Sequence, residues 1–277
     1  MELLFNSLLD QMGIAPGSVR LLRHQDSRSD KGRTPYELWR DDRPAFEEYQ
    51  STQSPSNRTK LSAEFWISFV VNHAGETLLA GLYQSRCLGL NESVMHWPHA
   101  SGFSPVGTCD VYELRLDDRL NDLAGRLLIE WGHGERSWIQ RADNQNKIVS
   151  EIRAAFAEPE FPGYSNFVTS LSKIENLPAG WIAALKASRG VYLLTCPATK
   201  EQYVGAAVGD GGFHSRWLDY VGDGHGGNVA LKSRDPSDYQ VSILEVAGSM
   251  AAVEDILAME VLWKLKLQSR EMGLNRN

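Results

Sequence analysis

The stretch Gly190-Val191-Tyr192-Leu193-Leu194-Thr195-Cys196-Pro197-Ala198-Thr199-Lys200-Glu201-Gln202-Tyr203-Val204-Gly205 decides how this chain is read. Apolar and aromatic residues fill both ends, and residues 197–200 supply a turn between them. Two short strands are predicted, over 191–196 and 202–208. The strand period puts Tyr192 on one face with Leu194 and Cys196. In isolation such a tyrosine is a core residue.

The residues downstream widen the choice. Gly209-Asp210-Gly211-Gly212 opens a helix over 213–221, on which Arg216 and Tyr220 are four apart and share a face. Gly224-His225-Gly226-Gly227-Asn228 follows, then a third strand over 239–246. A long helix over 251–272 carries Glu260, and Leu274-Asn275 comes after it. Glu260 falls on the stripe Val253, Ile256, Leu257, Trp263, Leu267, where a carboxylate must be paired or bind a metal. An ion pair with Arg216 meets that demand as well as a metal does. Upstream, 179–188 reads as helix.

In that order and at that spacing, residues 164–277 resemble the GIY-YIG nuclease domain, a small α/β module that hydrolyses phosphodiester bonds in DNA. The resemblance implies a three-stranded sheet with flanking helices, and a role for each matching residue. Tyr192 would take the proton of the attacking water, and Tyr203 would line the same site. Gly205 would let backbone approach the substrate. Arg216 would hold the scissile phosphate bidentately, which lysine cannot reproduce. Tyr220 matches the tyrosine variant of the second helix position. Glu260 would be the lone protein ligand of Mg2+ or Mn2+, and Asn275 would steady the phosphate. His225 and Lys232 are further candidates for contact with substrate. Plainer alternatives stand beside these: Arg216 as a surface arginine, His225 in a loop before a helix N-cap at Asn228, and Asn275 in a helix C-cap near Gly273. A free phenol has a pKa of about 10, so Tyr192 needs positive charge nearby to act as a base at neutral pH.

The rest of the chain reads differently. Apolar residues at 4, 5, 8, 9 and 12 give a helical period, and 17–60 is polar, with a helix over 35–50 opened by Thr34-Pro35. Strand-like runs follow at 65–71, 77–83, 111–116 and 127–131, with Asn72-His73-Ala74-Gly75 as a hairpin loop. Glu158-Pro159-Glu160-Phe161-Pro162-Gly163 cannot continue either kind of element. An α/β (α+β) chain of two domains is expected, with 1–155 mostly β and 164–277 mixed. The strand order of the first domain resembles a base-reading barrel, which would make it a DNA-recognition domain. Phe65, Trp66, Tyr83, Tyr112, Trp131 and Trp138 are its aromatic candidates for stacking on a flipped base, with a β core as the plainer reading.

With 277 residues and 42% apolar composition the chain buries a real core. Cys87, Cys109 and Cys196 are far apart and suggest neither disulfides nor zinc, only ordinary buried residues. No apolar run is long enough to span a membrane, and Met1-Glu2-Leu3-Leu4-Phe5 lacks the positive start of a signal peptide. A cytoplasmic protein with DNA as its partner is expected, and a homodimer that cuts both strands is an open alternative. A net charge of −7 means that DNA binding would use a confined basic groove.

Overall fold

The computed structural model describes residues 2–25, 32–132, 137–223 and 238–275, in a mixed α+β architecture. The chain forms two compact units, Met1–Pro159 and Glu160–Asn277. His225 and Lys232 lie outside the described residues.

The first unit is built of α1 (Phe5–Gln11), β1 (Val19–His24), α2 (Pro35–Asp41), α3 (Arg43–Ser51), β2 (Thr52–Gln53), α4 (Arg58–Leu61), β3 (Phe65–Val71), β4 (Thr77–Leu90), β5 (Met95–His96), β6 (Phe103–Ser104), β7 (Asp110–Asp117), β8 (Leu127–Glu130), β9 (Ile139–Arg141) and β10 (Ile148–Ile152). Its main sheet has eight strands in the order β10-β8-β4-β3-β1-β9, with β7 on β4 and β2 on β7. Among the described residues β9 and β10 do not pair, so the sheet that resembles a barrel in strand order is open, a curled half-barrel. β1 and β3 run parallel, and the helices α2 to α4 lie between them in sequence, as a parallel crossover requires. The polar reading of 17–60 missed β1, whose Val19, Leu21 and Leu22 are fully buried.

The helix expected over 35–50 is two helices. Thr34 and Glu37 form a capping box that starts α2, with Glu37 N–H donating to Thr34 Oγ1 at 3.2 Å and Thr34 N–H to Glu37 Oε2 at 2.7 Å. Asp42 then caps α3 by accepting from Ala45 N–H at 3.2 Å, and Pro44, with no N–H to give, is tolerated in that first turn. Side chains alternate across the sheet into separate cores. Ile67, Phe69 and Leu79 join Phe5 and Leu9 of α1, whereas Val70, Leu78 and Ala80 join Tyr36, Leu38 and Phe46 of α2 and α3. Phe65, Trp66, Tyr83, Tyr112 and Trp131 are all buried, which gives five of the six aromatic candidates to the core. Cys109 and Cys196 are buried, but Cys87 is exposed, contrary to expectation.

The second unit consists of β11 (Val168–Ser170), α5 (Ala179–Lys186), β12 (Gly190–Thr195), β13 (Gln202–Ala207), α6 (Gly212–Asp223), β14 (Gln240–Val246) and α7 (Val253–Lys266). The sheet has four strands and not three, in the order β11-β14-β12-β13, all antiparallel. The extra strand, β11, is three residues long and too short for a periodic signal. Its core joins Tyr192, Leu194, Tyr203 and Ile243 of the sheet to Trp181 of α5 and to Phe213, Trp217 and Tyr220 of α6. Among the described residues no helix is long and apolar enough to cross a membrane.

Candidate active site

Tyr192 pairs with Gly205 across β12 and β13, and Leu194 pairs with Tyr203, so both tyrosines point to one face of the sheet. A Cβ on residue 205 would lie 2.5 Å from Tyr192 Oη and 2.6 Å from Cζ. Only glycine lets the Tyr192 ring lie across the neighbouring strand. Gly190 has φ +154°, and a Cβ there would strike the Glu245 carbonyl oxygen of β14. The glycine of each short motif thus seats the first tyrosine, one by freeing the strand entry and one by clearing space for the phenol.

The α6 helix closes over that face. Phe213 and Trp217 are fully buried and stack at 5.5 Å, and Trp217 meets the Tyr192 ring edge-on at 5.9 Å. Four residues set Arg216 and Tyr220 on the same side, and both reach Tyr192. The hydroxyls of Tyr192 and Tyr220 are 2.9 Å apart. Arg216 Nε donates to Tyr192 Oη at 3.2 Å and Nη2 donates to Tyr220 Oη at 3.4 Å, with the guanidinium 5.0 Å from the centre of the Tyr220 ring. The ring of Tyr203 lies 6.4 Å from that of Tyr220. The arginine side chain remains 31% exposed, with Nη1 3.6 Å from Asp219 Oδ2, so one edge of the cation faces water.

Proton bookkeeping limits what this cluster can do. Each hydroxyl oxygen accepts from Arg216, and one phenol donates to the other. One hydroxyl proton is left for an outside acceptor. Burial pushes the Tyr192 phenol well above its usual range, with Tyr203 adding to the rise, and outweighs the opposing pull of Arg216 and its hydrogen bonds. Tyr220 is pushed up in the same way, first by burial and then by Tyr192 and Tyr203. The positive charge that a tyrosinate base requires is present, yet desolvation dominates and both phenols hold their protons at neutral pH.

Glu260 and Asn275 take other partners. α7 packs against β12 and β13 but contributes no side chain to the core that holds Tyr192. Glu260 Oε1 is 3.2 Å from Lys264 Nζ one turn on, and both are largely buried, at 13% and 5% exposure. The partner is therefore Lys264 and not Arg216. The sequence carries the signal for it, a glutamate four residues before a lysine on one helix. The inward stripe differs in part from the one expected: Ile256, Glu260, Trp263 and Leu267 are on it, but Val253 and Leu257 are exposed, and Met259 and Lys264 face inward instead. Among the described residues no three metal-ligating side chains cluster. A hard cation such as Mg2+ or Mn2+ would reach the Glu260 carboxylate only by displacing the Lys264 ammonium, and would take most of its remaining ligands from water.

Asn275 is buried and spends its amide on an edge strand. Val204 N–H donates to Asn275 Oδ1 at 3.0 Å, and Asn275 Nδ2 donates to the Val204 carbonyl at 2.9 Å. β13 is an outer strand of the sheet, and this side chain supplies the pair of bonds a further strand would make.

No protein-family model matches the chain, and no curated protein matches it. Among solved structures the chain is similar to a mutant form of the catalytic domain of the intron endonuclease I-TevI, at 22% identity over 32% of this chain and 94% of that one, with a TM-score of 0.28. At that overlap the likeness carries no activity over to this chain.

Proposed function

We propose that this chain is an endonuclease that hydrolyses DNA phosphodiesters with a divalent cation, Mg2+ or Mn2+, and that it serves restriction or phage defence. The observation that carries the reading is the hydrogen-bonded cluster of Tyr192, Tyr220 and Arg216. The exposed edge of Arg216 presents a fixed cation to a phosphate, and the spare hydroxyl proton presents a donor beside it. Water attacks phosphorus in line, giving up one proton to solvent, and the 3′-oxygen leaves and takes a proton from solvent to become the hydroxyl. Arg216 offsets the charge that gathers on the non-bridging oxygens, and the two phenols orient the phosphate. With both phenols protonated, Tyr192 positions and relays; it does not store a base. A cation on Glu260 would supply Lewis acidity and an acidified water.

The two-unit architecture suits targeted cutting, with the second unit, about 164–277, as the nuclease and the first, about 1–155, as the DNA-recognition part. Since five of its six aromatic candidates fill the core, stacking on a modified base would fall to Trp138, which is half-buried. A second reading, a nucleic-acid-binding protein without catalysis, is favoured by one observation, the Lys264 ammonium on Glu260. Incubating the purified chain with Mg2+ or Mn2+ on unmodified, methylated and glucosylated DNA separates the two. The nuclease reading expects ends from at least one substrate that EDTA abolishes. DNA that is bound but never cut, in either metal, leaves the second reading.

A further inference from the structure

Apolar residues run all the way round α7. Ile256, Trp263 and Leu267 take the side packed on the sheet, but Leu257, Ala258, Val261, Leu262 and Leu265 form a second stripe that faces outward. Leu257 is 44% exposed, Val261 53%, Leu262 47% and Leu265 73%. Their spacing from Leu257, at i, i+1, i+4, i+5 and i+8, is that of a helix face built to be covered. Single exposed leucines need no explanation, whereas a contiguous apolar stripe along more than two turns does. Apart from the largely buried Glu260–Lys264 pair, the charges lie at the ends of the helix: Glu254 and Asp255 in the first turn, Lys266 in the last.

We propose that this outward stripe is covered by the same helix of a second copy of the chain, packed antiparallel about a two-fold axis near the middle of α7. The stripe complements itself under that operation. An axis between residues 259 and 260 sets Leu257 against Leu262 of the second copy and Ala258 against Val261 of the second copy, small residue against branched one. The same axis brings Glu254 of one copy to the level of Leu265 and Lys266 of the other, twice over, and opposes the two helix dipoles. A parallel arrangement would instead place acid on acid and base on base. The i,i+4 rows Val253-Leu257-Val261-Leu265 and Ala258-Leu262 supply the ridges and grooves of ordinary helix packing.

The inference stands on α7 alone and does not need the nuclease reading, because the test contains no DNA. Sedimentation velocity of the full chain, from micromolar to hundred-micromolar concentrations, is expected to give a species of twice the 30.9 kDa chain mass. Val261→Glu and Leu265→Glu place a charge in the interface and are expected to weaken dimerisation at least about tenfold. Both side chains are exposed in one chain, so circular dichroism and melting of the separated variants should match those of the parent monomer. Glu254→Lys and Lys266→Glu should each weaken the dimer, and the double variant should restore it. A parent chain that stays monomeric throughout, or a dimer indifferent to Val261→Glu and Leu265→Glu, overturns the proposal. So does a double charge reversal that is weaker than either single one.

Discussion

Gly205 carries its meaning in the methyl group it lacks. The Tyr192 hydroxyl occupies the space a Cβ would take, so Gly205→Ala must move either the ring or the strand. Overpacking of that kind costs about 1–3 kcal/mol, and a lower melting temperature together with slower cleavage is the expected outcome. Tyr192→Phe keeps the ring in its fully buried place but removes the oxygen that Arg216 Nε and Tyr220 share. Its melting temperature should change little, and its cleavage rate should drop by roughly a hundredfold, the scale of losing one preorganised donor. Asn275→Ala should do the reverse. It strands the buried N–H and carbonyl of Val204, which costs about 1–3 kcal/mol, so thermal melting should fall by several degrees while any folded protein keeps its rate. A loss of cleavage without a loss of stability in Asn275→Ala would assign that amide to the substrate and not to the sheet edge.

At the scale of elements, the sequence declared some features and hid others for physical reasons. β12 and β13 are legible because apolar residues alternate up to a proline turn, and Arg216 and Tyr220 are legible as neighbours because helical residues four apart share a face. β1 was hidden by Arg20, Arg23 and His24, whose charges look like loop chemistry. In the fold Arg20 donates to the Lys60 and Ser62 carbonyls and Arg23 to Thr77, so polar heads are satisfied at the rim of a buried strand. The two-sided α7 was misread because one apolar stripe was sought where there are two. β1 also carries a pH dependence. His24 is buried between Phe46, Tyr49 and Trp138, and burial lowers its pKa to about 4, against a smaller opposing effect of Gln50. The folded state prefers the neutral ring, while the unfolded chain titrates near 6.5. The stabilisation is complete above that pH and is lost as pH falls towards 4. Melting curves of the first unit should shift downward across that window, and His24→Phe should flatten the shift; an unchanged slope in the variant would place the effect elsewhere.

At the scale of the whole molecule, each unit closes its own core. Tyr192, Trp217 and Leu274 share a cluster that draws only on residues of the second unit, and the remaining clusters draw only on the first. A fragment of residues 160–277 should therefore fold by itself and nick DNA with little selectivity, and one of residues 1–159 should fold and bind DNA at controlled salt without cutting it. A first fragment that folds but binds no DNA form in fluorescence anisotropy would remove recognition from that unit. The central claim is that the guanidinium shared by two buried phenols is the phosphate clamp of a nuclease. Its most direct test is single-turnover cleavage of a substrate that the parent chain cuts, with Mg2+, comparing the parent with Arg216→Ala and Arg216→Lys. The account predicts a rate lowered by roughly a hundredfold or more in both, with melting and DNA affinity near those of the parent; cleavage by Arg216→Ala at the parent's rate would contradict it.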